Sequence, residues 1–323
     1  QPGTLPAETY NLLASNGYLG GTIPEQYGGS GLSLREACII QEEFSRAGYR
    51  FAAAAAGTDG GFARILLSHG TEDQRRAVLP ALCDGSKKLA FGLTEPEPGS
   101  DSSAIRTQAK PVDGGWLING SKHYISLGHE ADWVLLFALT DKEKGNRGGI
   151  TAFLTPTCAD GFKVGRVEVT IGNDEIAELI FSDYLAPSTA VVGEVGRGFQ
   201  IAMESLVEGR LAVAACCIGA ADRAQELAVD HAKTRKTFGK PLAERQAIQW
   251  MLVDSALELQ IARDLLNAAL AEHEAGVDCR VRSSMCKLFC SEMVGRVTDR
   301  AMQIFGGAGM IRGAGLELSL IHI

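Results

Sequence analysis

The chain has 323 residues, 46% hydrophobic and 22% charged, with a formal net charge of −8. Such a length holds one to three domains with ample core, and such a composition is that of a soluble globular protein. The acidic balance excludes general nucleic-acid binding, which needs basic surface to neutralise phosphates, and no apolar run reaches the ~18–20 residues that span a membrane.

The opening Gln1-Pro2-Gly3 carries neither a Met nor a charged-then-apolar leader and reads as an internal start. Residues 5 to about 87 carry helical periodicity. A short amphipathic stretch runs to Ala14. Residues 33–47 place Glu36, Glu42 and Glu43 among apolar residues at helical spacing, with Ser33 as N-cap and Glu36 completing a capping box. Residues 51–68 are small and apolar, as a buried helix would be. Thr71-Glu72-Asp73 starts another helix, with acids where the dipole favours them. From Lys88 the period shortens. Residues 116–120 read as a strand entering a tight turn, with 122–127 returning. Further short strands are expected at 133–139, 149–154, 162–169 and 177–181, making a small barrel or sandwich. From Gly196 long helices return, at 198–233, 244–275 and 281–305, with Gly276 and Gly306 where C-caps belong. Three long antiparallel helices call for a fourth, which is expected outside this chain. The closing Leu318-Ser319-Leu320-Ile321-His322-Ile323 matches what a transposon-end sequencing adapter encodes in one frame, so the genuine sequence is expected to stop near Glu317.

The expected layout is an α+β chain. A helical N-terminal domain takes 1–87, a middle β domain 88–193 and an incomplete helical bundle 194–317, leaving 318–323 as adapter. The eight cysteines include the adjacent Cys216 and Cys217, and Cys286 and Cys290 four apart. Neither pair has partners at metal-ligand spacing. They read as buried thiols of a reducing cytoplasm, and no metal is expected. No G-x-G-x-x-G lies between a strand and a helix, so a Rossmann site is not expected.

Four stretches carry chemistry. Phe91-Gly92-Leu93-Thr94-Glu95-Pro96-Glu97-Pro98-Gly99-Ser100-Asp101 delivers hydroxyls and backbone N–H groups into a stiffened loop, suited to a flat heterocycle on one side and a phosphate on the other. In Asn119-Gly120-Ser121-Lys122-His123-Tyr124-Ile125-Ser126 an aromatic and a hydroxyl two apart share a strand face, which can cover a flat ring and bond its edge. His231-Ala232-Lys233-Thr234-Arg235-Lys236-Thr237-Phe238-Gly239-Lys240, followed by Gln246, is a basic cluster at a helix end, suited to a pyrophosphate. Gln303-Ile304-Phe305-Gly306-Gly307-Ala308-Gly309 leaves a long helix with more glycine than a cap needs. Each stretch alone also reads as ordinary structure: a polar turn, a hairpin aromatic, a helix C-terminus, a cap.

Together, in this order, they resemble the acyl-CoA dehydrogenase family. So do Ile23-Pro24-Glu25-Gln26-Tyr27-Gly28-Gly29, His69-Gly70-Thr71-Glu72-Asp73-Gln74, Phe181-Ser182-Asp183 with Pro187, Gly193-Glu194 with Gly198-Phe199, and Gly209-Arg210. The resemblance implies the family's N-terminal helical domain, middle β domain and C-terminal four-helix bundle, assembled as a homotetramer, a dimer of dimers. It implies FAD between the middle domain and the bundle. Phe91, Leu93 and Thr94 would flank the flavin. Ser100 would meet the FAD pyrophosphate or the acyl-CoA pantetheine. Tyr124 would pack on the isoalloxazine, with Ile125 and Ser126 beside it and Ser126 at the N5 edge. Arg235, Phe238, Gln246, Gln303, Gly306 and Gly307 would serve the FAD of a partner subunit, and Arg210 would line the acyl-CoA cleft.

The reaction so implied is α,β-dehydrogenation of an acyl-CoA thioester, with hydride passing to flavin N5 and electrons then to an electron-transfer flavoprotein. It would take place in a cytoplasm, bacterial by expectation. The usual catalytic glutamate follows the glycine-rich turn and is expected beyond the chain's end. Some members place it immediately before the arginine equivalent to Arg210, but here that position is Gly209. Glu208 lies about 100° around the helix and is a poor substitute, expected to be structural. Pro98 stands where the family has a small residue and removes a donor, and Gly313 departs from an acidic residue. The shortened chain is expected to hold FAD weakly. Two other readings fit the same scaffold: a nitroalkane oxidase-like enzyme or flavin monooxygenase, and a non-catalytic relative that binds acyl-CoA or a partner.

Overall fold

A computed structural model describes residues 5–48, 51–52, 62–311 and 315–316. Positions 53–61 of the expected 51–68 helix, Gly313 and the closing hexapeptide lie outside those residues. The chain divides into two units, residues 1–32 with 57–206, and residues 33–56 with 207–323.

In the first unit, α1 (Ala7–Ser15), α3 (Phe62–His69) and α4 (Glu72–Cys83) accompany the strands. Thr71 caps α4 through a complete capping box with Gln74. The strands are β1 (Leu89–Gly92), β2 (Gln108–Val112), β3 (Gly115–Ser126), β4 (Trp133–Leu139), β5 (Ile150–Pro156), β6 (Phe162–Val169), β7 (Glu175–Pro187) and β8 (Val191–Val192). They form one sheet in the order β6-β7-β3-β2-β4-β5-β8, with β1 added parallel to β4.

Strand β4 reads Trp-Val-Leu-Leu-Phe-Ala-Leu because both of its faces are buried. Val134, Leu136 and Ala138 join Ala90, Ala109, Ile118, Ile125, Phe153, Leu179, Phe181 and Tyr184 in one core, drawn from six strands. Leu135 and Phe137 point the other way, into a core shared with Leu66 of α3 and Val78, Leu79 and Leu82 of α4.

The predicted turn at Asn119-Gly120 does not form. The hairpin turns earlier, at Asp113-Gly114, and β3 runs unbroken from Gly115 to Ser126 against both β2 and β7. Gly120 serves a close approach instead. Its φ is +150°, and a Cβ there would lie 2.6 Å from the Thr107 Cα.

The second unit joins α2 (Leu34–Ala47) to the long helices α5 (Gly198–Thr234, whose first turns belong to the first unit), α6 (Gln246–Glu274) and α7 (Arg280–Phe305). Ser33 and Glu36 make the expected capping box. The alanines of α5 let its neighbours come close: Ala214, Ala221, Ala224, Ala228 and Ala232 pack with Leu34 and Cys38 of α2, Leu259 and Leu266 of α6, and Met293 and Val294 of α7. At Gly219 the α2 backbone lies so near that a Cβ would sit 2.0 Å from the Glu42 carbonyl oxygen. Arg263 of α6 holds Glu42 of α2 and Asp222 of α5 at 2.8 and 3.2 Å.

All eight cysteines are free. Six are buried, as expected, whereas Cys217 is half-buried and Cys158 is exposed. Burial pushes the Cys38 thiol up to about 12, so it stays a protonated, inert apolar group.

Candidate cofactor and active site

The β unit gathers six of the expected residues around the end of β1 and the second half of β3, with a seventh, Ser100, on the loop beyond. Phe91 stacks on Phe62, with ring centroids 4.5 Å apart, and tilts against Phe137. Leu93 is buried and Thr94 half-buried. The loop then swings outward, leaving Ser100 exposed and Gly99 with no neighbour within 4 Å of a hypothetical Cβ. Pro98 has lost its donor but keeps a use for its carbonyl, which accepts from the Glu95 N–H at 3.3 Å.

The pairing of β3 with β7 slips between Lys122 and Ile125, a bulge that re-aims the side chains. Tyr124 sits in it at φ +57°, in the left-handed region, and is 57% exposed. An L-residue pays roughly 1–2 kcal/mol for that backbone. Ile125 turns into the core, so its side chain is committed to packing and only its backbone is free to meet a ligand. Ser126 is exposed beyond it. The hydroxyls of Thr94 and Ser126 make no hydrogen bond to the chain among the described residues. Among the described residues the His123 Nδ1 is buried without a partner, and its ring meets Tyr124 edge-on at 4.1 Å. An exposed aromatic with unspent hydroxyls two residues along the strand and on the adjoining loop suits a flat, polar-edged heterocycle such as a flavin.

Sequence reading missed what lies beneath this surface. Lys122 is fully buried, and its Nζ donates to Glu95 Oε1 at 2.7 Å and to the Leu93 carbonyl at 3.2 Å. Glu95 also accepts from the backbone N–H of Arg106 at 2.6 Å and of Thr107 at 3.0 Å. Burial alone would raise the Glu95 carboxyl, but Lys122 and these donors outweigh it and hold it below the usual range. Burial pushes the Lys122 ammonium down to about 8 against the pull of Glu95. Both residues stand inside the chemistry-bearing motifs, yet a lysine in a strand carries no periodic sign that it is buried.

The helical unit brings together the second set. The C-terminus of α5 meets that of α7 where His231 stacks on Phe305, centroids 4.2 Å apart. Between α5 and α6 a two-stranded hairpin, β9 (Lys236–Thr237) with β10 (Lys240–Pro241), carries Phe238 at its tip, 98% exposed at φ +49°. Arg245 lies over that ring at 5.8 Å and donates to the Thr237 carbonyl at 2.7 Å. Arg235, Gln246, Gln303, Gly306 and Gly307 are all exposed at this end. Desolvation, with the nearby Arg235 charge second, lowers the His231 pKa. Exposed cations beside open glycine backbone form a surface suited to a phosphate.

Arg210 is half-buried. Glu208 is engaged: its carboxylate lies 3.2 Å from His273 Nε2 on α6, consistent with a structural role. Among the described residues one group could approach a metal ion, His129, Glu130 and Glu175. Lys88 already pairs with Glu130 there, and we read the group as an ion-pair cluster.

Three family models match in succession: acyl-CoA dehydrogenase N-terminal domain over residues 1–86, middle domain over 90–184 and C-terminal domain over 196–322. An acyl-CoA dehydrogenase of Bacillus subtilis is 36% identical over 309 residues, covering 95% of this chain and 81% of that protein. Butyryl-CoA dehydrogenase from Megasphaera elsdenii superposes with a TM-score of 0.93 at 36% identity, covering 98% of this chain and 84% of that one. A chain from a structure described as the electron transferring flavoprotein of Acidaminococcus fermentans gives a TM-score of 0.94 at 35% identity, with 98% and 84% covered.

Proposed function

The chain belongs to the acyl-CoA dehydrogenase family, a family of oxidoreductases, and from that premise we propose that it removes hydrogen across the α and β carbons of an acyl-CoA thioester with FAD as cofactor and an electron-transfer flavoprotein as acceptor. The observation that carries this reading is Tyr124, an exposed aromatic on a strained bulge two residues from the unspent Ser126 hydroxyl, with Thr94 tied to the neighbouring His123 N–H. Strain of that kind persists where a site requires it.

Bound FAD would supply the hydride acceptor for the β-hydrogen. The chain's part is to bind, orient and exclude water. Tyr124 would cover one face of the ring system, while the Thr94 and Ser126 hydroxyls hydrogen-bond its edge. Phe91 and Leu93 would close the site against solvent. Ser100 would meet a phosphate or the pantetheine, and Arg210 would line the acyl-CoA cleft. Arg235, with Phe238, Gln246, Gln303, Gly306 and Gly307, would hold the FAD of a second copy. The α-proton requires a carboxylate whose pKa is raised by an apolar site. Glu208, committed to His273, is not our choice for it, and no residue is assigned that role.

The homo-oligomer fits the surface of the helical unit. Trp250, Val253, Leu257 and Ile261 make an exposed apolar stripe along α6, and Val281, Met285 and Leu288 make another along α7. Stripes of that kind mark interaction surfaces.

The test is to titrate the chain with FAD, then to add butyryl-CoA without oxygen to the FAD-loaded product of the intact gene, because no residue of this chain is assigned as the base. The expected result is saturable flavin binding, followed by loss of visible flavin absorbance and formation of the α,β-unsaturated thioester. Bound flavin that no acyl-CoA bleaches would overturn the dehydrogenase reading. Bleaching by a nitroalkane, or oxygen uptake on turnover, would move it to the oxidase or monooxygenase classes.

A further inference from the structure

Glu95 stands at the entrance of the outward loop and Arg106 and Thr107 at its exit. One carboxylate bonds both ends: Oε2 accepts from the Arg106 N–H, and Oε1 accepts from the Thr107 N–H and the Lys122 ammonium. From β3 beneath, Lys122 Nζ also takes the Leu93 carbonyl, and the neighbouring His123 N–H donates to the Thr94 carbonyl at 2.9 Å. Residues 93, 94 and 95 are therefore each fixed by a hydrogen bond from the same stretch of strand. The segment they close, 96–104, carries Ser100 and is exposed over most of its length.

We infer that the buried Lys122–Glu95 pair is a clasp, a pair of positioning residues that fixes the 93–107 loop and aims Thr94 and the loop's backbone at the flavin. A buried ion pair is weak evidence of a stabilising role, because apolar groups of similar volume often serve as well or better. This pair does something apolar groups cannot: one buried carboxylate, charge-balanced by Lys122, accepts from backbone donors at the loop's far end and so ties its two ends together. The inference rests on the flavin reading for its consequence, but the clasp itself has a test that needs no cofactor.

The variants are Glu95→Gln, Lys122→Met and the double variant, made in the full chain. Each single variant leaves one buried partner uncompensated and is expected to lower the thermal midpoint. The double variant removes both charges and is expected to regain most of that loss. Amide hydrogen exchange in the cofactor-free protein is expected to rise across 96–107 in all three variants, with β4 and β5 unchanged. With FAD added, the double variant is expected to bind roughly tenfold more weakly than the parent, the order of effect that losing a charged hydrogen bond produces, and to show an altered visible circular dichroism of the flavin.

A double variant with parental exchange across 96–107 overturns the clasp, whatever the cofactor. A double variant with raised exchange but parental FAD affinity and dichroism leaves the loop tie intact and overturns its role at the flavin. If the parent chain itself binds no flavin, the reading in the previous section fails, and the exchange result still decides the clasp.

Discussion

Tyr124 holds a left-handed backbone and an exposed ring, so the fold bears a cost that its own packing does not return. Replacing it with glycine relieves that backbone. Tyr124→Gly is expected to raise the thermal midpoint of the cofactor-free protein by ~2–4 °C, the equivalent of about 1 kcal/mol in a domain of this size, while weakening FAD binding. A differential scan alongside a flavin titration checks both halves; a lowered midpoint together with unchanged affinity would count against the site. At this scale the sequence was informative about residue types and silent about backbone. Tyr124 and Ser126 were legible as an outward pair from alternation, and both are exposed. The bulge that aims them was not legible, because a register slip depends on the partner strand. Nor was the burial of Lys122, since the same letter on a neighbouring β position would be a solvated side chain.

Helix ends were the most legible elements, because a cap is a local contract between a side chain and orphan backbone donors. Ser33 accepts from the Glu36 N–H, and Glu36 reaches back to the Ser33 N–H at 2.8 Å. Ser33→Ala is expected to cost about 1 kcal/mol, read as a lower urea midpoint with an unchanged slope; a change below a few tenths would mean that tertiary packing alone sets where α2 begins. Strand ends were less legible. Asn119-Gly120 and Asp113-Gly114 are both hairpin signals, and only the second is a turn. The choice rested on β2, whose Gln-Ala-Lys-Pro-Val offers one buried residue and a proline, too little alternation to announce a strand. Gly120 was instead demanded by Thr107, a contact that only the folded sheet creates.

For the whole molecule, the sequence conveyed the order of helical, β and helical regions, since each change of texture changes the hydrophobic period. It did not convey that α2 packs with α5, α6 and α7, because amphipathic helices do not name their partners. The apolar stripes on α6 and α7 carry an expectation at this scale: in sedimentation the chain should run as an assembly. Trp250→Asp with Leu257→Asp should shift it toward a single copy, since a buried unpaired charge is costly. Both residues are exposed in one copy, so the thermal midpoint of the separated chain should be little changed. A parent that sediments as one copy at micromolar concentration would refute the self-association reading.

The membership of α2 in the helical unit also sets a timetable. The Ser45 hydroxyl donates to the carbonyl of Cys216, 171 positions further along. A ribosome adding ~5–20 residues per second takes on the order of ten to thirty seconds to cover that distance. Through that interval α2 has been made and its docking partners have not, while the β unit is being completed. The apolar side of α2, with Leu34, Ala37 and Cys38, then waits uncovered until α5 to α7 are made, and is a stretch that a holding chaperone would cover.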